Sequence, residues 1–161
     1  MTPEFHRPLS LGRIGPQGLD LTVEATPAEC AALAVRMNLP AVLAVSCTFH
    51  LVRDEQAVVL ARGALRAKVT QACVVSLDAL DALVEEVFHV RFVPARQETD
   101  GIDLESDDEI PFEGNVIDLG EAAAEQLGLA LDPYPRMPGV EMPAVEDEPE
   151  QQPFEALRRL N

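Results

Sequence analysis

Ala61-Arg62-Gly63-Ala64-Leu65-Arg66-Ala67-Lys68-Val69-Thr70 is the stretch on which the fold turns. Ala61, Gly63, Leu65, Ala67 and Val69 alternate with Arg62, Ala64, Arg66, Lys68 and Thr70. A period of two is what a strand with one buried and one solvated face requires. The same signature continues downstream, where Glu86, Phe88, Val90 and Phe92 alternate with Val87, His89, Arg91 and Val93 before Pro94. Upstream, Leu43, Val45, Cys47, Phe49 and Leu51 point one way, and Asp54-Glu55-Gln56 reads as a hairpin connection. Residues 57–75 then form one long strand, and residues 76–82 a helical turn. These connections are too short for parallel crossovers, so the pattern predicts an antiparallel meander.

Outward from this centre the period changes. Phe5, Arg7, Leu9 and Leu11 fall on one face of a strand, and Gly12, Gly15, Pro16 and Gly18 mark a turn. Leu19, Leu21, Val23 and Ala25 form a second half-buried strand. Thr26-Pro27-Ala28-Glu29 is a capping box with proline at the first helical position. Cys30, Leu33, Ala34 and Met37 recur on one helical face, and Pro40 stops the helix. Toward the C-terminus, residues 96–110 read as an acid-rich loop and residues 111–117 as one more short strand. Asp118-Leu119-Gly120-Glu121 has the form of a second capping box, opening a helix to about Leu129 with Leu119, Ala123 and Leu127 inward. Four prolines and glycines in residues 132–139 impose an extended path.

The expected class is α+β: a mainly antiparallel sheet or partly open β-barrel with two principal helices, near residues 27–38 and 118–130. An acidic loop and a flexible C-terminal tail complete it. Residues 1–139 are expected to form one domain. Residues 140–161 make an acidic Pro/Glu-rich tail, closed by a helical turn at Pro153–Leu160.

Charge is divided unevenly. The 161 residues carry a net charge of −16, with 10 acids and 9 bases in residues 1–96 but 18 acids and 3 bases in residues 97–161. An acidic balance opposes non-specific nucleic-acid binding, whose affinity comes from Lys and Arg releasing counterions. The near-neutral first part still has bases enough for a local patch. No apolar run reaches the roughly 18 residues that span a bilayer. Met1-Thr2-Pro3-Glu4-Phe5-His6 lacks the order of a signal peptide. Cys30, Cys47 and Cys73 are odd in number and widely spaced, which points to a reducing compartment. A cytoplasmic protein is expected, with neither DNA nor membrane as partner.

Catalytic and metal-binding patterns are missing from the sequence. There is no C-x-x-C, H-x-x-x-H or H-E-x-x-H spacing. Asp103, Glu105, Asp107, Asp108 and Glu109 lack the ligand order and turn glycine of an EF-hand loop, and read as a solvated acidic loop. Cys30 and Cys47 fall on core faces. Cys73 lacks an adjacent base, although Arg66 and Lys68 lie nearby. The expectation is a protein without catalytic residues, metal or cofactor. One candidate for binding remains: Arg62, Arg66 and Lys68 on one strand face, with Arg91 beside them if its strand pairs in the right register. Such a strip suits a phosphate or an acidic partner. It is also, and more commonly, the polar face of an ordinary half-exposed sheet.

Several stretches resemble the YceD-like family of large-subunit ribosomal RNA accumulation proteins. They are Gly63-x-Leu65-x-Ala67, Cys73-Val74-Val75-Ser76-Leu77 and Phe88-x-Val90-x-Phe92-x-Pro94. The acidic loop, Ile117-Asp118-Leu119-Gly120-Glu121 and Leu127-Gly128-Leu129-x-Leu131-x-Pro133-Tyr134-Pro135-Arg136 follow in order. Pro153-Phe154-x-x-Leu157 resembles the closing segment of the alphaproteobacterial branch. Ser76 stands where many relatives have a second cysteine, and the cysteine-rich knuckle of many relatives is absent, so no metal site carries over. The resemblance implies a non-enzymatic factor in ribosome biogenesis, with the large-subunit precursor, its ribosomal RNA or ribosomal proteins as partners. An alternative is an acidic chaperone-like adaptor, in which residues 97–161 capture basic ribosomal proteins.

Overall fold

The computed structural model of the chain describes residues 4–95 and 108–136. Its strands are β1 (Pro8–Ser10), β2 (Leu19–Glu24), β3 (Ala41–Arg53), β4 (Val59–Ala72), β5 (Ala79–Pro94), β6 (Asp108–Phe112) and β7 (Val116–Asp118). Its helices are α1 (Pro27–Arg36) and α2 (Leu119–Ala130), with a 3-10 turn at Leu11–Arg13. Five strands form one open sheet in the order β2-β3-β4-β5-β6, and β1 pairs with β7 apart from it. The class is the expected α+β, realised as an open sheet and not as a barrel.

The alternation in β4 survives intact. Val59, Ala61, Leu65, Ala67 and Val69 are buried while Arg62, Ala64, Arg66 and Lys68 are exposed. Helix α1 packs on β3 through Cys30, Leu33 and Ala34, and α2 packs over β4 and β5 through Leu119, Ala123 and Leu127. Both helices therefore cover one face, and the other faces solvent. With few aromatic residues, the core depends on Leu, Val and Ala, gathered around Phe5, Phe49 and Phe92.

Phe49 of β3, Gly63 of β4 and Phe88 of β5 lie side by side across the sheet. Gly63 has no side chain, so the two rings meet above it edge-on, with centroids 5.9 Å apart. Such a contact adds to the area that each ring buries.

Four expectations need correction. Leu43 was placed inward, but it is 50% exposed. A β-bulge between Val42 and Ala44 shifts the register, burying Val42 instead and restoring Val45 to the core. Bulges of this kind arise from the pairing partner and leave no local signal. The helical turn at residues 76–82 is absent. Leu77 donates its N–H to the Cys73 carbonyl, Cys73 donates to Asp78, and Leu77 takes φ +61°, closing a hairpin from which β5 starts at Ala79. Pairing along the whole of β4 outweighs a weak local helical preference.

The single strand expected at residues 111–117 is two strands, β6 and β7, separated by a turn at Gly114 with φ +70°. The expected antiparallel meander holds across β3, β4 and β5, and β6 adds to its edge in parallel with β5. The intervening residues 95–107 are long enough for a parallel connection. At the N-terminus only Pro8–Ser10 is strand. Phe5, Leu9 and Leu11 are buried as expected, but Arg7 is held at the margin by Glu29.

Both helix starts are set by side chains. Thr26 Oγ1 accepts from Glu29 N at 3.2 Å, and Glu29 Oε2 accepts from Thr26 N at 2.7 Å, completing the first capping box. Asp118 accepts from Gly120 N and Glu121 N at 3.1 and 3.2 Å. The second box stays half formed because Glu121 turns to Arg36 of α1, in a bidentate pair at 2.8 and 3.0 Å. Helix α1 exits through Asn38, whose φ of +54° is a conformation that Asn tolerates. After α2 the chain runs extended. Gln71 donates to the Asp132 carbonyl and Val74 N to the Pro135 carbonyl, tying this stretch to the β4–β5 hairpin. Residues 96–107 of the acidic loop, and the tail expected at residues 140–161, lie outside the described residues.

The Arg7 guanidinium grips Glu29 with two hydrogen bonds, of 2.6 and 2.7 Å. Chiefly for this reason the Glu29 carboxyl is lowered from 4.5 to about 2, the Thr26 N–H adding to the effect. A depressed carboxyl stabilises the fold above its unfolded value. The contribution is lost as pH falls through the folded one. Glu29→Gln keeps a capping side chain and loses the ion pair, so it is expected to cost about 1 kcal/mol at neutral pH. Urea unfolding should show the gap between variant and wild type closing from pH 4.5 towards about 2.

Candidate binding face of the sheet

Hydrogen-bond register decides what lies beside what on the solvent face. Arg62, Arg66 and Lys68 project from β4, all exposed. Arg91 of β5 lies opposite Leu60, one step from the Arg62–His89 pair, so it joins the same face. The structure thus places all four residues expected from the sequence on one face, with Arg91 near Arg62 and Lys68 farther along β4.

They are not electrically alike. Arg91 Nη1 is 3.1 Å from Glu109 Oε1 of β6, with both side chains about two-thirds buried. Arg66 Nε is 3.4 Å from Glu85, but both are well exposed, so solvent screens the pair. Arg62 and Lys68 have no carboxylate partner among the described residues. The unneutralised charge of the strip is therefore concentrated on Arg62 and Lys68. Asp20, Glu24 and Asp81 share the same face, which makes it mixed in sign.

Two further residues join the site that sequence reasoning left out. Register aligns Asp20 of β2, His50 of β3, Arg62 of β4 and His89 of β5 in a row across the sheet. His50 Nδ1 bonds Asp20 Oδ1 at 2.5 Å, which aims the other ring nitrogen outward. A depression of about 340 Å³ lies on one side of Arg62, bounded by Asp20, Thr48, His50 and Ala64. Another of about 240 Å³ lies beyond it, bounded by Val52, Leu60 and His89. His89 was visible in the period-two pattern as a solvent-facing residue. Its place beside Arg62 depends on pairing between positions 27 apart in chain order and leaves no sequence mark.

Elsewhere, Cys30, Cys47 and Cys73 are all buried. Burial pushes the Cys47 thiol up to about 12, far from thiolate character at neutral pH. Among the described residues no three His, Cys, Asp or Glu side chains converge on a point where an ion would sit. No helix among them is long and apolar enough to cross a membrane. The face offers groups suited to binding: Arg62 and Lys68 are charged donors, His50 and His89 are flat rings, and Leu60 and Val87 are exposed apolar surface.

The family model described as large ribosomal RNA subunit accumulation protein YceD matches residues 61–160. No curated protein and no solved structure matches the chain. The match opens on β4 at the start of the Arg62–Lys68 strip, continues through β5 and covers α2. The chain therefore belongs to the YceD family, whose name ties it to accumulation of large-subunit ribosomal RNA.

Proposed function

We propose that this protein is a non-enzymatic, cytoplasmic factor that supports large-subunit ribosomal RNA accumulation by holding a precursor of the large subunit. In this reading the solvent face of the sheet makes the contact, with Arg62 and Lys68 as its principal cations, Arg66 between them and Arg91 beyond Arg62. The observation that carries it is that, among the described residues, β4 presents these two cations without an ion-pair partner on a sheet face that neither α1 nor α2 covers. Ribosomal RNA is the favoured ligand of that face. Arg and Lys position a backbone through phosphate contacts, and unpaired bases stack on flat rings such as His50 and His89. The acidic C-terminal part restrains this interaction, because like charges within a Debye length of roughly 8 Å repel and weaken contact with unrelated RNA.

Gradient sedimentation of a cell lysate tests the proposal. The protein is expected in the fractions holding large-subunit precursors, and its depletion is expected to lower large-subunit ribosomal RNA relative to small-subunit RNA. A protein found only at the top of the gradient, with that ratio unchanged on depletion, overturns it.

A further inference from the structure

A groove of about 470 Å³ runs between the C-terminal end of α1 and one face of α2, lined by Arg36, Met37, Ala124, Glu125, Gly128 and Leu129. The four α2 residues share one stripe at helical spacing. Three features mark the groove among the described residues. Leu129 is 74% exposed at its rim. Gly128 lies in the last turn of α2, a poor helix former at a place where a Cβ would meet nothing within 4 Å. Glu125 is exposed on the groove wall and has no hydrogen bond or ion pair among the described residues. Desolvation, with nearby Glu121, raises its carboxyl above the usual range, and Arg36 offsets this only in part. Arg36 is already committed to Glu121 and to Glu4.

We propose that this groove receives a basic amphipathic helix of a partner protein. Its apolar side chains lie against Leu129 and Met37, and a lysine or arginine pairs with Glu125. The bare Gly128 lets the partner backbone approach closely, as small residues do wherever helices cross at short range. Charge selects this occupant over others. Glu4, Glu121 and Glu125 face one arginine, so RNA is repelled, and a second copy of the chain would set one acidic stripe against another. The inference goes beyond the sheet-face reading and stands on the helical side of the molecule.

The probe is an 18-residue synthetic peptide with leucines at helical spacing flanked by lysines, together with a scrambled peptide of the same composition. Fluorescence anisotropy at physiological salt compares the full-length wild type with Glu125→Lys, Gly128→Gln, Glu55→Lys and Arg62→Glu. Glu55 is exposed in the β3–β4 turn and reports the effect of net charge alone. The amphipathic peptide is expected to bind about tenfold tighter than the scrambled one, and Glu125→Lys and Gly128→Gln each to weaken it by about tenfold. Glu55→Lys and Arg62→Glu should change it less than about twofold, so failure of the sheet-face reading leaves this result untouched. Equal binding of the scrambled peptide, or an equal loss in Glu55→Lys and Glu125→Lys, overturns the proposal. So does a wild-type dimer that Gly128→Gln dissolves. Circular dichroism checks the fold of each variant, and Leu129→Gln replaces Gly128→Gln should that helix melt.

Discussion

Gly63→Ala is expected to destabilise the protein by about 2–3 kcal/mol, although alanine normally suits a strand better than glycine. A Cβ at this position would stand 2.2 Å from the tip of the Phe88 ring and under 3 Å from its two neighbouring atoms. Phe88 is nearly buried, with Phe49 packed edge-on against it, so its ring swings away only by giving up that contact. For a chain of this size such a loss lowers the melting temperature by roughly 5–10 °C. Differential scanning calorimetry checks it. Phe88→Leu in the same chain removes the obstruction, so the double variant should be less destabilised than the two single changes summed. Strict additivity would mean that Gly63 is not a packing requirement of the Phe49–Phe88 pair.

Reversing both unpaired cations, Arg62→Glu with Lys68→Glu, is expected to abolish co-sedimentation with large-subunit precursors. Each lost contact to a single-stranded phosphate takes about 0.7 from the dependence of log affinity on log salt, and the new carboxylates add repulsion. The combined loss is on the order of a hundredfold at physiological salt. Stability should move by about half a kcal/mol or less, because both side chains stand in solvent. Arg91→Ala should weaken binding less, since Glu109 already neutralises that guanidinium. Neutralising Asp103, Glu105, Asp107, Asp108 and Glu109 should strengthen binding to random RNA, chiefly at low salt. If that variant loses the ribosomal partner while the Arg62/Lys68 variant keeps it, the strip is solvated surface and an acidic adaptor explains the protein better.

A smaller effect of opposite sign comes from the helical side. Gly128→Ala is expected to raise stability by about 0.5–1 kcal/mol, because the new methyl group meets open space and the helix gains a better former. Thermal unfolding measures it. A decrease would mean that Gly128 serves the fold itself.

What could be read from the sequence is what short-range physics settles. Period two placed Ala61, Leu65, Ala67 and Val69 inside and Arg62, Arg66 and Lys68 outside, because successive strand side chains must oppose one another. Thr26, Glu29 and Asp118 marked both helix starts, because the first turn of a helix has orphan N–H groups that only such side chains satisfy locally. The family resemblance was equally legible, since it lies in the order of short motifs. The rest depended on partners distant in the chain. The bulge that expels Leu43, the hairpin at residues 73–78 and the parallel path of β6 each follow from which strand lies alongside. So does the electrostatic sorting of the site. Four bases share a face by periodicity and register, but Arg91 is paired because β6 brings Glu109 to it, and Arg62 stands between His50 and His89 without an ion-pair partner among the described residues. Periodicity assigns a residue to a face. Only pairing across the sheet assigns its neighbours, because those contacts are fixed by hydrogen bonds between segments that the chain order holds apart.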